Sequence, residues 1–412
     1  MTGLGVLTPI GTGVDEFWAG LHAGRSAVKR IDRFDPSAFR SQVAAQIDDF
    51  EATDHMAAKT ARQTDRFSQF ALAAGRGALA DAGLEIGGPG TPRADRFAVY
   101  IGSALGGIAY AEIQHERYME RGIRSVAPNL ALAVFGGAAP ANLGIALGLH
   151  GPILSTANSC AAGAVAIGEA LRLIRSGVAD AALAGGVEVP LSPLAFGAFD
   201  IIRALSSAHN DVPGEASRPF DAGRDGFVMG EGAALLVLEA ADLARRRGAT
   251  PYAELRGFAA TSDAFHMVQP RPDGMQAARA ARLALADAAA KVAEVDYVNA
   301  HASSTPLGDA VEARALARAL GPRAREIPVS GTKAYYGHPL GASGAIEAAI
   351  GALAIARGWA PGTVNLGEPD PAVVEYIPRL SAAPIEEPIR GVLSTSFGFG
   401  GLNAALFLSA PR

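Results

Sequence analysis

The chain has 412 residues, 49% of them hydrophobic, and a formal net charge of -5. That length allows two to three domains or one large two-part α/β body, and the apolar share is enough for a substantial core. A mildly acidic chain whose longest basic run is Arg245 to Arg247 is poorly suited to nucleic acid as its main partner.

The segment Met1 to Pro9 lacks a charged stretch followed by an apolar run, so no export signal is visible and the cytosol is expected. A glycine-rich turn leads to a helix predicted from Asp15 to Leu21. Helical periodicity then runs from Lys59 to Asp81, and Phe97 to Gly102 reads as a buried strand entering a glycine turn. From Ser125 to Gly168 there is no Lys, Arg, Asp or Glu. Pro128, Gly136, Gly137, Pro140, Gly148 and Pro152 interrupt that run too often for a membrane-spanning helix, so a deeply buried core or interface is expected and no membrane insertion.

Within that run, Gly151 to Ser155 reads as a turn and a short apolar strand, and Ala161 to Ser176 has helical spacing. Further strands are predicted at Ala179 to Gly186, Gly232 to Glu239 and Tyr252 to Phe258, with a second half beginning near Arg246 to Pro251. It holds a long helix (Met275 to Lys291), strands at Val295 to Ala300 and Ile327 to Ser330, and a helix from Gly344 to Arg357. Such alternation implies a layered α/β architecture. Gly163-Ala164-Val165 followed by Gly177 is echoed, at the same separation, by Gly344-Ala345-Ile346 and Gly358. Duplication of one α/β unit and chance similarity of two alanine-rich helices both explain the echo.

Cys160 is the only cysteine, so it can form neither an internal disulfide nor a zinc site built from thiolates. It is either a small buried hydrophobe or a nucleophile. Its place at a strand-to-helix elbow favours the second reading. There, helix-terminal amides are predicted to favour thiolate over thiol, and Ala161, Ala162 and Gly163 leave room for a substrate carbonyl. His301 and His338 stand at strand exits, where α/β proteins build sites, although for either alone a structural role fits equally well. Lys333 is one of only four lysines and lies in a glycine-flanked uncharged loop, with Glu347 as a possible partner. Ser394 to Asn403 reads as a turn whose amides could hold an oxyanion.

In these contexts the ordered Cys160, His301, Lys333 and His338 resemble the β-ketoacyl-[acyl carrier protein] synthases, in particular the type II bacterial branch. The likeness spans nearly the whole chain. It includes Thr2 to Gly5, Arg218-Pro219-Phe220-Asp221, Arg224-Asp225-Gly226-Phe227, Ser262 to His266 and Phe397 to Asn403. The resemblance implies a thiolase-like α-β-α-β-α fold of two pseudo-duplicated halves. The first (1–245) would carry the nucleophilic cysteine, the second (246–412) both histidines and the lysine. It implies decarboxylative Claisen condensation of a Cys160-bound acyl group with malonyl-[acyl carrier protein], in fatty-acid or type II polyketide elongation.

By the same resemblance, His301 and His338 stabilise the enolate, the amides of Cys160 and Phe399 form an oxyanion hole, and Lys333 with Glu347 orients the histidines. Phe399 would act as a gate, Ser303 and Thr305 would bind the phosphopantetheine arm, and Leu105 would line the acyl pocket. Lys59 and Arg62 would dock the acyl carrier protein. No metal or other cofactor is implied, and the partner subunit would be an identical chain or a chain-length-determining homologue.

Departures from the family pattern are Ala302-Ser303 for Gly-Thr, Pro339 after the second histidine, and the stretch Asn129 to Ala141. Relatives begin with several strand residues before Thr-Gly-Leu-Gly, so a trimmed or late start is expected. Two rival readings stand beside the synthase. A coenzyme A thiolase needs a second cysteine, which this chain lacks; an inert chain-length partner lacks the elbow thiol, which this chain keeps.

Overall fold

The computed structural model describes residues 1–88 and 90–412. Two mixed sheets carry the molecule. In the first, Gly3–Thr8, Gly232–Glu239, Ala181–Glu188, Phe97–Gly102 and Ile153–Thr156 lie side by side, with the short Gly11–Thr12 at the outer edge of Gly3–Thr8. In the second, the order is Glu254–Ser262, Leu402–Ser409, Gly391–Gly398, Tyr297–Asn299 and Val329–Ser330. Leaving aside the two-residue Gly11–Thr12 and counting the strands of each sheet in chain order, each runs first, fifth, fourth, second, third. The pairings in both are antiparallel, antiparallel, parallel, parallel. Chance does not reproduce order and sense together, so the glycine echo marks two pseudo-duplicated halves.

Between the sheets lie two buried helices, Ala162–Arg175 and Ser343–Arg357; Arg66–Asp81 covers the outside of the first sheet, and Met275–Asp287 with Pro306–Leu320 covers the second. These make the five layers α-β-α-β-α. The central helices touch through the echoed glycines. A Cβ on Gly163 would lie 2.8 Å from Gly341 O, and one on Gly344 would lie 2.8 Å from Ala164 Cβ. Leu340–Arg357 is long and apolar enough to cross a membrane, but 83% of it is buried between the sheets.

Several elements differ from their sequence-based bounds. Lys59 to Asp81 is two helices, Ala58–Gln63 and Arg66–Asp81, because Asp65 caps the second by accepting from Ser68 N at 3.2 Å. The helix from Met275 stops at Asp287, and Ala289 takes a left-handed φ of 49°. Ser394 to Asn403, expected as a turn, is the end of a hairpin, with only Phe399–Gly401 turning between two eight-residue strands. Periodicity overlooked Pro306–Leu320, although Thr305 followed by Pro306 is a helix-start signal. The uncharged run is only partly interior: Leu132, Phe135, Ile145, Ile153 and Leu154 are exposed on the single chain.

Candidate active site

Cys160 sits in a one-turn 3-10 segment, Ser159–Ala161, between strand Ile153–Thr156 and helix Ala162–Arg175. It is 6% exposed yet lines a cavity of about 370 Å³. A Cβ on Gly398 would lie 3.0 Å from Cys160 N, so glycine there lets the Phe399 turn close over the nucleophile. The expected thiolate is not the resting form. Burial pushes the thiol's pKa up, and the Ser159 hydroxyl, the Lys333 charge and the Phe399 amide pull it down without reversing that rise. Helix-terminal amides are outweighed because most of the residue is removed from water.

The two imidazoles converge on this sulfur. One ligand-type atom each of Cys160, His301 and His338 lie within 4.8 Å of one another, and the rings are 5.2 Å apart at 81°. Burial lowers both histidine pKa values well below the ordinary value, helped by Lys333 and, for His301, by His338. Both are therefore neutral near pH 7. His338 Nδ1 lies 2.8 Å from Ser343 Oγ, a pair in which either group can donate, and His301 Nδ1 faces the Lys333 ammonium at 3.4 Å. An ammonium can only donate, so His301 Nδ1 is the acceptor and that ring's proton is left on Nε2; His338 takes the same tautomer when the Ser343 hydroxyl donates. A trio of this kind could also occupy three corners of a zinc site.

Lys333 opens a short buried helix, Lys333–Tyr336, rather than a loop, and its ammonium bridges the His301 carbonyl and the Glu347 carboxylate. Burial pushes the Glu347 carboxyl up against the pull of Lys333. Glu312, absent from the sequence-based set, accepts from His301 N at 2.8 Å, Ala302 N at 2.7 Å and Thr395 Oγ1 at 2.8 Å. It holds the His301 loop, in which Ala302 and Ser304 take positive φ of 38° and 70°. Asp309 fastens the same loop through Ser304 N and Phe220 N and pairs with Arg224 at 3.4 Å. The Arg-Pro-Phe-Asp and Arg-Asp-Gly-Phe segments are thus the frame under His301. Helix Pro306–Leu320 presents both acids, so missing that helix meant missing them.

Ser303 and Thr305 line the cavity, with their hydroxyl oxygens 3.0 Å apart. Phe399 stacks on Phe199 at 6.2 Å and closes the cavity near the thiol. Leu105 packs in the same apolar cluster as Cys160 but does not line this cavity; its amide donates to Glu188 at 3.0 Å. Lys59 and Arg62 are exposed on helix Ala58–Gln63, and among the described residues neither makes an ion pair.

Comparison with known proteins agrees with this geometry. The family model "Beta-ketoacyl synthase, N-terminal domain" matches residues 1–244 and "Beta-ketoacyl synthase, C-terminal domain" matches residues 252–367. The 3-oxoacyl-[acyl-carrier-protein] synthase 2 of Coxiella burnetii is 42% identical over 410 residues, covering 99% of this chain and 97% of the relative. A type II polyketide ketosynthase, solved with its acyl-carrier protein and bound to a hexaketide, superposes with a TM-score of 0.90 at 33% identity. That match covers 100% of this chain and 98% of the other. The ishigamide ketosynthase/chain length factor gives 0.89 at 33%, covering 100% and 98%.

The chain belongs to the β-ketoacyl synthase family. It is an acyltransferase, and its reaction is the decarboxylative condensation that lengthens an acyl chain as its 3-oxoacyl-[acyl carrier protein] thioester.

Proposed function

We propose that Cys160 receives the acyl group from a carrier-protein thioester, with the amides of Cys160 and Phe399 donating to the developing oxyanion. The observation that carries this division of labour is the pair of neutral imidazoles whose Nδ1 atoms are already engaged. Two Nε2–H donors preplaced beside the acyl-sulfur would stabilise the enolate left when malonyl thioester loses carbon dioxide, in a site that excludes water. Lys333 and Glu347 are positioning residues: Glu347 holds the Lys333 ammonium, which in turn holds His301 and helps keep it neutral. The sulfur must attack the incoming thioester, so a metal tying up its lone pairs would oppose the first step. We infer a reaction without a resident metal or other cofactor, the substrates arriving on phosphopantetheine held by Ser303 and Thr305.

Phe399 is the gate in this reading, standing in a turn whose Gly400 and Gly401 take the left-handed φ of 80° and 69° that glycine allows. The partners are an acyl carrier protein, docked by Lys59 and Arg62, and a second subunit, identical or a chain-length homologue. Supporting a second subunit, the four-residue strand Ile153–Thr156 is an edge of its sheet, unpaired on one side among the described residues, with Ile153 and Leu154 exposed. Leu105 shapes the acyl pocket, residues 1–245 and 246–412 are the duplicated units, and the location is cytoplasmic.

The test uses intact-protein mass spectrometry and carbon dioxide release. Cys160→Ala gains no acyl mass from an acyl-carrier thioester. His301→Ala and His338→Ala still gain it but lose malonyl decarboxylation by about 10²- to 10³-fold, the usual loss for one oxyanion donor. Condensation at the wild-type rate by either histidine variant would sink the assignment. Absence of acyl mass on the wild type would favour the inert chain-length reading instead.

A further inference from the structure

A second cavity, again of about 370 Å³, lies outside the catalytic one, where helix Ile108–Arg121 faces the Val189–Pro193 segment. Among its lining residues, Arg66, Glu112 and Ser192 each bury a polar atom that has no hydrogen-bond partner among the described residues: Arg66 Nε, Glu112 Oε2 and Ser192 Oγ. Ser192 is only 5% exposed, and although it stands at the N-cap of helix Pro193–Ile201 its hydroxyl makes no capping bond. Glu112 does that work from a neighbouring helix, its Oε1 accepting from Leu194 N at 2.6 Å. Arg66 is anchored likewise, through Nη2 to Ile47 O at 2.6 Å and Glu231 at 3.2 Å. Arg66 and Glu112 are thus each fixed through one polar atom and leave another unpaired, while the Ser192 hydroxyl is unpaired altogether. Orphaned buried groups are uncommon enough in folded proteins to call for a partner.

Phe34 and Leu191 line the cavity and also pack in the apolar cluster that contains Cys160, Leu105 and Phe196, so one apolar cluster links this cavity to the thiol. The orphan set offers one donor, one acceptor and one hydroxyl able to do either. A hydroxyl group on a ligand satisfies both partners, a keto oxygen satisfies the donors, and an alkyl chain satisfies none.

We propose that this cavity is a polar subsite for the distal part of the Cys160-bound acyl chain, selecting chains that carry hydroxyl or keto oxygen there over saturated ones. The inference rests on the acyl-Cys160 reading above and names the substrate class that the reading leaves open. The experiment compares two carrier-protein thioesters of equal medium length, one saturated and one hydroxylated near its end, with an acetyl thioester as control. The wild type is expected to show about tenfold higher kcat/KM for the hydroxylated chain, the discrimination of one or two hydrogen bonds. Ser192→Ala and Glu112→Gln are expected to reduce that preference severalfold while leaving acetyl condensation unchanged. Equal use of both chains by the wild type, or a preference untouched by both variants, overturns the proposal. So does a crystal structure of the wild-type assembly with a partner side chain seated on these three atoms. Failure of the wild type to condense even the acetyl thioester would overturn the Cys160 reading itself.

Discussion

At the scale of single residues, the chemistry depends on which nitrogen of each imidazole carries the proton. Ser343 bears on this for His338, since its hydroxyl is the Nδ1 partner at 2.8 Å and, when it donates, keeps the ring proton on Nε2. Ser343→Ala is expected to let the ring change tautomer and to slow malonyl decarboxylation about 10- to 100-fold, the usual loss on removing a supporting partner. Acylation of Cys160 should stay near normal, a split that a general folding defect would not give. The thiol makes a pH prediction. Its folded pKa lies above the ordinary value because burial disfavours the anion, so the folded state holds the proton more tightly. Iodoacetamide alkylation should therefore rise with pH to a midpoint above that of a free thiol (about 8.5). Lys333→Met should move it higher still, since the Lys333 charge lowers it; a midpoint below that of a free thiol would contradict the account.

At the scale of elements, the two central helices bring the site's two halves together. The 3-10 turns that precede them correspond: Ser159–Ala161 before Gly163 and Leu340–Ala342 before Gly344, each with a positive φ at its first residue, 50° at Ser159 and 34° at Leu340. The nucleophile starts one helix, and His338 with its partner Ser343 starts the other. Gly163→Ala would put a methyl 2.8 Å from Gly341 O and 3.1 Å from Ala345 N, with backbone on both sides. A loss of about 1–3 kcal/mol is expected from such overpacking, read as a lower urea midpoint. Slower acylation should accompany it, since the helix start is where the sulfur is held; unchanged stability would mean that the helices are not in closest contact there.

For the whole molecule, Glu188 is a tie between the halves. Its buried carboxylate accepts from Ser103 Oγ, Ala104 N and Leu105 N in the first half and from Gly341 N at 2.8 Å in the second. Glu188→Ala leaves these donors unpaired and is expected to cost on the order of 3 kcal/mol in urea unfolding. Burial pushes its pKa up to about 7, against the pull of those same donors. Because the folded value is raised, its contribution is full below the unfolded value near 4.5 and falls as pH rises to about 7. The stability difference between wild type and variant should narrow across that window; a gap that widens with pH would refute this linkage.

The sequence by itself determined the order of Cys160, His301, Lys333 and His338, the elbow around the thiol, and the glycine echo. These were legible because each depends on local spacing: a lone cysteine between strand and helix, histidines at strand exits, glycines where helices end. It also pointed to the family before any coordinate was known. Only the tertiary structure decided that the thiol rests protonated, because desolvation sums over elements far apart in the chain. The same holds for Glu312, Ser343 and Glu188, whose importance lies in the amides and rings they meet across the fold. Whether the echo was duplication was also a question for the sheets, since strand order and sense are properties of pairing over long sequence distance, which no local pattern records.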